Sequence, residues 1–194
     1  MGYWIYSKGG RLMARIEVIS GPMFSGKTTE LVRRLERYSL ANKKVVYFKP
    51  PLDLRTEGKV MIASVRQTFG IEVLTLYQPV GIDADVVAID EAQFFPDWII
   101  DYCQSLRDQG KIVIVCGLDM DARRLPFGSL GNLMAIADSV SKLTAVCACG
   151  QDAVFTWLKD GLPQQEGNLI LLGSQEKYEP CCGECYNRKM AGGI

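Results

Sequence analysis

Histidine is absent from all 194 residues. No imidazole is therefore available as a general base or a metal ligand, and proton transfer falls to carboxylates, lysines or thiols. An excess of either charge is also missing: lysine plus arginine and aspartate plus glutamate number 22 each. That balance argues against a generic nucleic-acid footprint. No apolar run approaches the ~20 residues needed to cross a bilayer. The opening segment, with Tyr3-Trp4-Ile5-Tyr6, is too short and too aromatic for a signal peptide. Met13 reads as the biological start, with residues 1–12 as an extension. Internal repeats and low-complexity stretches are lacking too. What remains is an ordinary soluble composition, 48% hydrophobic and 23% charged, enough for one domain plus a small appendage. The expectation is a cytoplasmic protein with no membrane and no nucleic-acid partner.

Seven cysteines are present, but not in the spread of a disulfide framework. Cys103 and Cys116 lie in apolar stretches and read as buried small hydrophobes. The other five cluster near the C-terminus, and clustered reduced thiols suggest a metal.

The most informative segment is Gly21-Pro22-Met23-Phe24-Ser25-Gly26-Lys27-Thr28, which fits the phosphate-binding pattern G-x-x-x-x-G-K-[ST]. Its glycines allow a tight turn in which successive amide N–H groups converge on an anion. The helix expected from about Lys27 adds its positive end to the same point. The Lys27 ammonium can reach the β- and γ-phosphates of ATP, and the Thr28 hydroxyl can join a Mg²⁺ shell. The flanks agree: Arg15 to Ser20 reads as a buried strand, and Leu31, Leu35 and Tyr38 recur at helical spacing.

Short apolar runs alternate with amphipathic ones to residue 140, the pattern of an α/β layered fold with a mainly parallel sheet. Strands are expected near 15–20, 44–48, 71–76, 85–90 and 111–117. Helices are expected near 27–41, 97–109 and 129–138, with Pro96 in the first turn of the second and Gly110 as its stop. Residues 53–68 read as a mobile loop over the nucleotide site. From about residue 145, cysteine pairs and short β-like runs replace the alternation. The expected division is 13–144 for a nucleotide-binding core and 145–194 for a small module.

Val86-Val-Ala-Ile-Asp90-Glu91 reads as a strand beside the phosphate-loop strand, delivering Asp90 to the metal. Glu91 points elsewhere and can act as a general base. If it activates water the protein is an ATPase; if it activates a substrate hydroxyl, a kinase. Phe94 and Phe95 follow, one suited to stacking on a flat substrate and the other to the core.

The phosphate loop, Asp90-Glu-Ala-Gln-Phe-Phe95, Pro126-Phe-Gly128, Lys142 to Cys147 and Lys177-Tyr178 together resemble the cellular-type (type II) thymidine kinases, in family order over roughly residues 15–190. The resemblance implies a RecA-like core, a small zinc-bound module with a lasso loop, and a homotetramer. It implies transfer of the γ-phosphoryl of ATP to the 5′-hydroxyl of thymidine, with deoxyuridine as a possible substrate. Glu91 matches the family's catalytic base. Asp53 and Arg55 match a pair near the triphosphate, and Asp90 to Gln93 complete the nucleotide site. Met23, Phe94, Leu118, Phe127 and Thr156 would line the nucleoside pocket. Leu169, Ile170, Leu171, Leu172, Gly173 and Tyr178 would form the lasso.

Three departures stand out. The first cysteine pair is Cys147-Ala-Cys149, one residue short of the family's Cys-x-x-Cys, while Cys182-Gly-Glu-Cys185 is intact. The expected Zn²⁺ ligands are Cys147, Cys149, Cys182 and Cys185, with Cys181 as the alternative to Cys149. Ala122 stands where the family has an aromatic, and Ser64-Val65-Arg66-Gln67 stands where it commonly has Ser-His-Asn/Asp-Gly. Arg123 or Arg124 would supply a cation near the transferring phosphoryl. The competing readings are a regulatory ATP-binding module and a nucleic-acid-dependent ATPase with a zinc ribbon.

Overall fold

The computed structural model describes residues 13–51, 71–159 and 175–192. Elements are numbered along these residues. Six strands form one sheet: β1 (Arg15–Ser20), β2 (Val45–Lys49), β3 (Glu72–Thr75), β4 (Val86–Ile89), β5 (Ile112–Gly117) and β6 (Ser139–Lys142). Their order is β3-β2-β4-β5-β1-β6, and all five pairings are parallel. Helices α1 (Lys27–Leu40), α2 (Trp98–Asp108) and α3 (Leu130–Ile136) cover it.

The two faces of the sheet are written as a period of two, because successive side chains on a strand point to opposite faces. Val45, Tyr47, Val86, Ala88, Ile112, Ile114 and Cys116 pack with Leu31, Leu35 and Tyr38 of α1. Val46, Phe48, Val87, Ile89, Val113 and Val115 pack on the other face with Ile99, Cys103 and Leu106 of α2 and Leu130 and Leu133 of α3. Both faces are dry, so the strands read as continuous apolar runs. Leu31 and Leu35 are fully buried, and each such side chain contributes about 2 kcal/mol of transfer free energy.

Charge pins the same helix in register. Glu30 accepts from Arg33 and Arg34, and Arg34 reaches on to Glu17 of β1 and Ser141 of β6. The Arg33 guanidinium, joined by Arg34, holds the Glu30 carboxyl down at about 2.

Two sequence expectations change. The strand carrying Asp90 is not beside the phosphate-loop strand, because β5 lies between β4 and β1. Pro96 lies outside α2, whose N-cap is Asp97; the Pro96 carbonyl accepts from Ile99 N–H at 3.0 Å. One strand was not foreseen. β6 is short and largely exposed, and its Ser-Val-Ser-Lys composition carries little strand signal.

Beyond residue 144 the chain forms two small antiparallel pairs, β7 (Ala145–Val146) with β8 (Asp152–Ala153) and β9 (Phe155–Leu158) with β10 (Tyr178–Cys181), followed by α4 (Gly183–Met190). A separate apolar cluster forms here from Ala145, Ala153, Trp157 and Tyr186 together with Cys147, Cys181 and Cys182. No helix among the described residues is long and apolar enough to cross a membrane.

Candidate functional site

All six parallel strands run the same way, so the ends of β1, β4 and β5 open on one edge of the sheet. At the end of β1 the chain turns through the phosphate loop. Gly21 has φ +142°, and a Cβ there would approach the Leu143 carbonyl oxygen to 2.4 Å. Gly26 caps α1 in the left-handed region, at φ 79° and ψ 19°. Ser25 Oγ and Lys27 Nζ both donate to the Pro22 carbonyl, at 2.8 and 2.7 Å. Burial holds the Lys27 ammonium below its ordinary value, opposed by the neighbouring Glu91, Asp90 and Asp119.

Asp90, at the end of β4, is buried, with 2% of its surface exposed. Its Oδ1 accepts from Glu91 N–H at 2.9 Å. Its Oδ2 accepts from the Tyr47 hydroxyl at 2.6 Å and from Thr28 Oγ1 at 3.4 Å, with Lys49 Nζ at 4.0 Å. The intervening β5 is no obstacle, because α1 lies across it. The first turn of α1 thus carries Thr28 over to the β4 end. The Tyr47 phenol stays protonated at neutral pH, since burial first and then Asp90 push it well above its ordinary value. Burial likewise keeps Cys116, packed under the same carboxylate, as a thiol.

Glu91 turns away from Asp90 because its backbone is left-handed, at φ 52° and ψ 42°. Its Oε2 accepts from Gln93 Nε2 at 2.7 Å. Gln93 is itself buried, and its Oε1 accepts from Leu118 N–H at 3.0 Å. The primary amide thereby links the carboxylate to the backbone just past β5. Two glycines make room for it: a Cβ on Gly117 would meet Gln93 Oε1 at 2.5 Å, and one on Gly128 would meet the Gln93 carbonyl oxygen at 2.2 Å.

Phe94 and Phe127 meet edge to face beside this group, centroids 5.5 Å apart. Phe95 turns into the core instead. Thr156, buried on β9, accepts from the backbone N–H of Met23 at 3.0 Å. Met23, Phe94, Leu118, Phe127 and Thr156 therefore fall on the same edge as the phosphate loop. Tyr178 lies half-buried on β10, in register with Leu158. Asp53, Arg55 and Leu169 to Gly173 lie outside the described residues, as does all of the expected loop 53–68.

The pair Arg123 and Arg124 separates. Arg124 places its guanidinium 4.4 Å from the centre of the Tyr186 ring and 5.4 Å from that of Phe155, and bonds Asn187. It is engaged with α4 and β9.

Among the described residues, the thiols of Cys147, Cys149, Cys182 and Cys185 lie within 4.8 Å of one another. Four thiolates at ~2.3 Å from Zn²⁺ stand about 3.8 Å apart in a tetrahedron, so this set fits the ion. The short Cys-x-Cys spacing is absorbed by the β7–β8 turn. There Cys147 N–H donates to the Gln151 carbonyl, and Gly150, at φ 85°, donates to that of Cys147. On the second pair, Cys182 caps α4 and its sulfur accepts from Cys185 N–H at 3.4 Å. Cys181 is buried but stands outside the group of four.

The sequence reading missed Tyr47 and the bonds of Gln93. A signal for Tyr47 existed: a tyrosine within an otherwise apolar buried strand needs a partner for its hydroxyl. The partner itself, 43 positions away, has no local signature.

The model of the thymidine kinase family matches residues 14–186. A thymidine kinase of Bacteroides fragilis is 44% identical over 188 residues, which cover 93% of this chain and 90% of that protein. One of Porphyromonas gingivalis is 44% identical over 181 residues, covering 89% and 85%. One of Bacteroides thetaiotaomicron is 45% identical over 182 residues, covering 92% and 89%. With this similarity along nearly its whole length, and with a phosphate loop facing a paired carboxylate, the chain belongs to the thymidine kinase family.

Proposed function

We propose that the protein transfers the γ-phosphoryl of ATP to the 5′-hydroxyl of thymidine, giving thymidine monophosphate and ADP. Deoxyuridine is the natural second substrate to try. The observation that carries this reading is the Glu91 carboxylate. Gln93 fixes it at 2.7 Å, next to the Phe94–Phe127 pair and on the edge that holds the phosphate loop. Family membership supports the same assignment.

In this reading the loop amides of Gly21 to Thr28 and the Lys27 ammonium hold the β- and γ-phosphates. Glu91 accepts the 5′-hydroxyl proton as that oxygen bonds to the γ-phosphorus. The bond from phosphorus to the bridging oxygen breaks, and ADP leaves with the electron pair. General-base help of this kind contributes about 10²–10⁴ in rate. Thr28 and Asp90 are the residues that would hold Mg²⁺, which when bound neutralises charge on the phosphates. Asp53 and Arg55 are assigned to the triphosphate as well. Phe94, Phe127, Met23, Leu118 and Thr156 surround the nucleoside, and Leu169 to Gly173 with Tyr178 close on it.

The four cysteines 147, 149, 182 and 185 are assigned to a structural zinc, since a full thiolate set leaves no position for substrate. The division into a core of 13–144 and a module of 145–194, a homotetrameric assembly and a cytoplasmic location complete the proposal. The test is ADP release by purified protein with ATP, Mg²⁺ and each nucleoside in turn. Turnover that requires thymidine supports the reading. ATP hydrolysis indifferent to any nucleoside would overturn it.

A further inference from the structure

Asp90 is gripped from both sides. One oxygen accepts from the backbone of Glu91 at 2.9 Å, and the other from the Tyr47 hydroxyl at 2.6 Å. With a donor on each oxygen, the carboxylate cannot swing about its Cβ–Cγ bond without losing one of them. Oδ2 also faces Thr28 Oγ1 at 3.4 Å, so the orientation that Tyr47 fixes is the one directed at the first turn of α1. The placement follows from register. Tyr47 on β2 pairs with Ala88 on β4, and Asp90 lies two residues beyond Ala88 on the same face of the pleat. The tyrosine is long enough to reach diagonally along that face. The ring is 1% exposed, packed among the residues under α1, so no other orientation is open to the phenol.

We propose that Tyr47 is a positioning residue for divalent-cation binding, acting through Asp90. The proposal rests on the reading of Asp90 as the Mg²⁺-holding carboxylate. The hydroxyl is buried against the Asp90 carboxylate. It keeps Oδ2 aimed at the first turn of α1, so that the cation meets a preset ligand. Loss of an outer partner of a metal-holding carboxylate weakens metal affinity by about 10–100-fold.

The experiment compares wild type, Tyr47→Phe and Asp90→Asn. Calorimetry reads the affinity for ADP with Mg²⁺ and with excess chelator. Mn²⁺ titration followed by electron paramagnetic resonance reads the cation in the ADP complex. Thermal melting reports the fold. Tyr47→Phe keeps the ring and removes one oxygen, so the core remains filled. The expected result is Mn²⁺ affinity lowered by about tenfold and a smaller gain in ADP affinity on adding Mg²⁺, with chelated ADP binding unchanged. A lowered melting temperature with wild-type Mn²⁺ affinity would reduce Tyr47 to a structural role and overturn the proposal. If Asp90→Asn itself kept full cation dependence, the reading of Asp90 would fall and take the proposal with it.

Discussion

The guanidinium of Arg124 stacks 4.4 Å from the ring centre of Tyr186, whose hydroxyl donates to the Ala122 carbonyl at 2.8 Å. The helix that carries Cys185 and is capped by Cys182 thus holds the loop between β5 and α3 at two points. That loop bears Phe127, the partner of Phe94. Disturbing the cysteine module should therefore reach the nucleoside side of the site through this contact.

Arg124→Ala should raise the KM for thymidine and leave the KM for ATP near wild type. A cation–π contact from an exposed arginine is worth about 0.5–1 kcal/mol, or about a 2–5-fold change. Steady-state kinetics with each substrate varied in turn measures both constants. An equal rise in both would mean that the arginine supports the whole core.

Gly117→Ala and Gly128→Ala should fail differently. A methyl at Gly117 meets the tip of the Gln93 side chain at 2.5 Å. The amide can move away, but only by releasing Glu91 or Leu118 N–H. Turnover should drop at least tenfold with a modest change in melting temperature. A methyl at Gly128 meets the Gln93 backbone at 2.2 Å, at φ +53°. Nothing there can give cheaply, so that variant should be strongly destabilised or insoluble. Melting curves and kcat together separate the two.

Lys27→Met tests the phosphate loop. Burial holds the Lys27 ammonium below its ordinary 10.5. Between the lowered value and 10.5 the unfolded chain binds a proton that the folded chain has released. The stability of the nucleotide-free protein should accordingly rise with pH through that window. Replacing the ammonium with a thioether removes this rise and should not lower the neutral-pH melting temperature. The stabilisation that ATP confers on wild type should vanish. Melting with and without ATP across pH reads all three effects.

Among the cysteine variants, Cys149→Ser should lose zinc while Cys181→Ser keeps about one ion per chain. Cys181 stands outside the group of four, so its thiol is dispensable for binding. Elemental analysis of both purified proteins decides. Zinc retained by Cys149→Ser and lost from Cys181→Ser would reverse the assignment.

The phosphate loop, the main parallel strands and the three core helices were legible because each is local. Gly21 to Thr28 encodes its own turn, and Leu31, Leu35 and Tyr38 encode the buried face of α1. What escaped is non-local. Nothing in Ile112–Gly117 says that this strand inserts between β1 and β4. Strand order follows from how crossovers pack, not from the composition of any strand. Tyr47 and Asp90 likewise become partners only once β2 and β4 are in register. Gln93 could be placed in the site by resemblance, but its hydrogen bond to Glu91 follows only from the fold. The packing of Arg124 on the Tyr186 ring is equally non-local.

The most direct measurement is single-turnover phosphoryl transfer from ATP to thymidine by Glu91→Gln. The amide keeps the shape of the carboxylate and removes its ability to take a proton. The predicted result is thymidine and ATP binding within a fewfold of wild type, with the rate of thymidine monophosphate formation lower by about 10²–10⁴. Thymidine monophosphate formed by this variant at near wild-type rate would contradict the assignment of Glu91 as the base, and with it the account of how this site works.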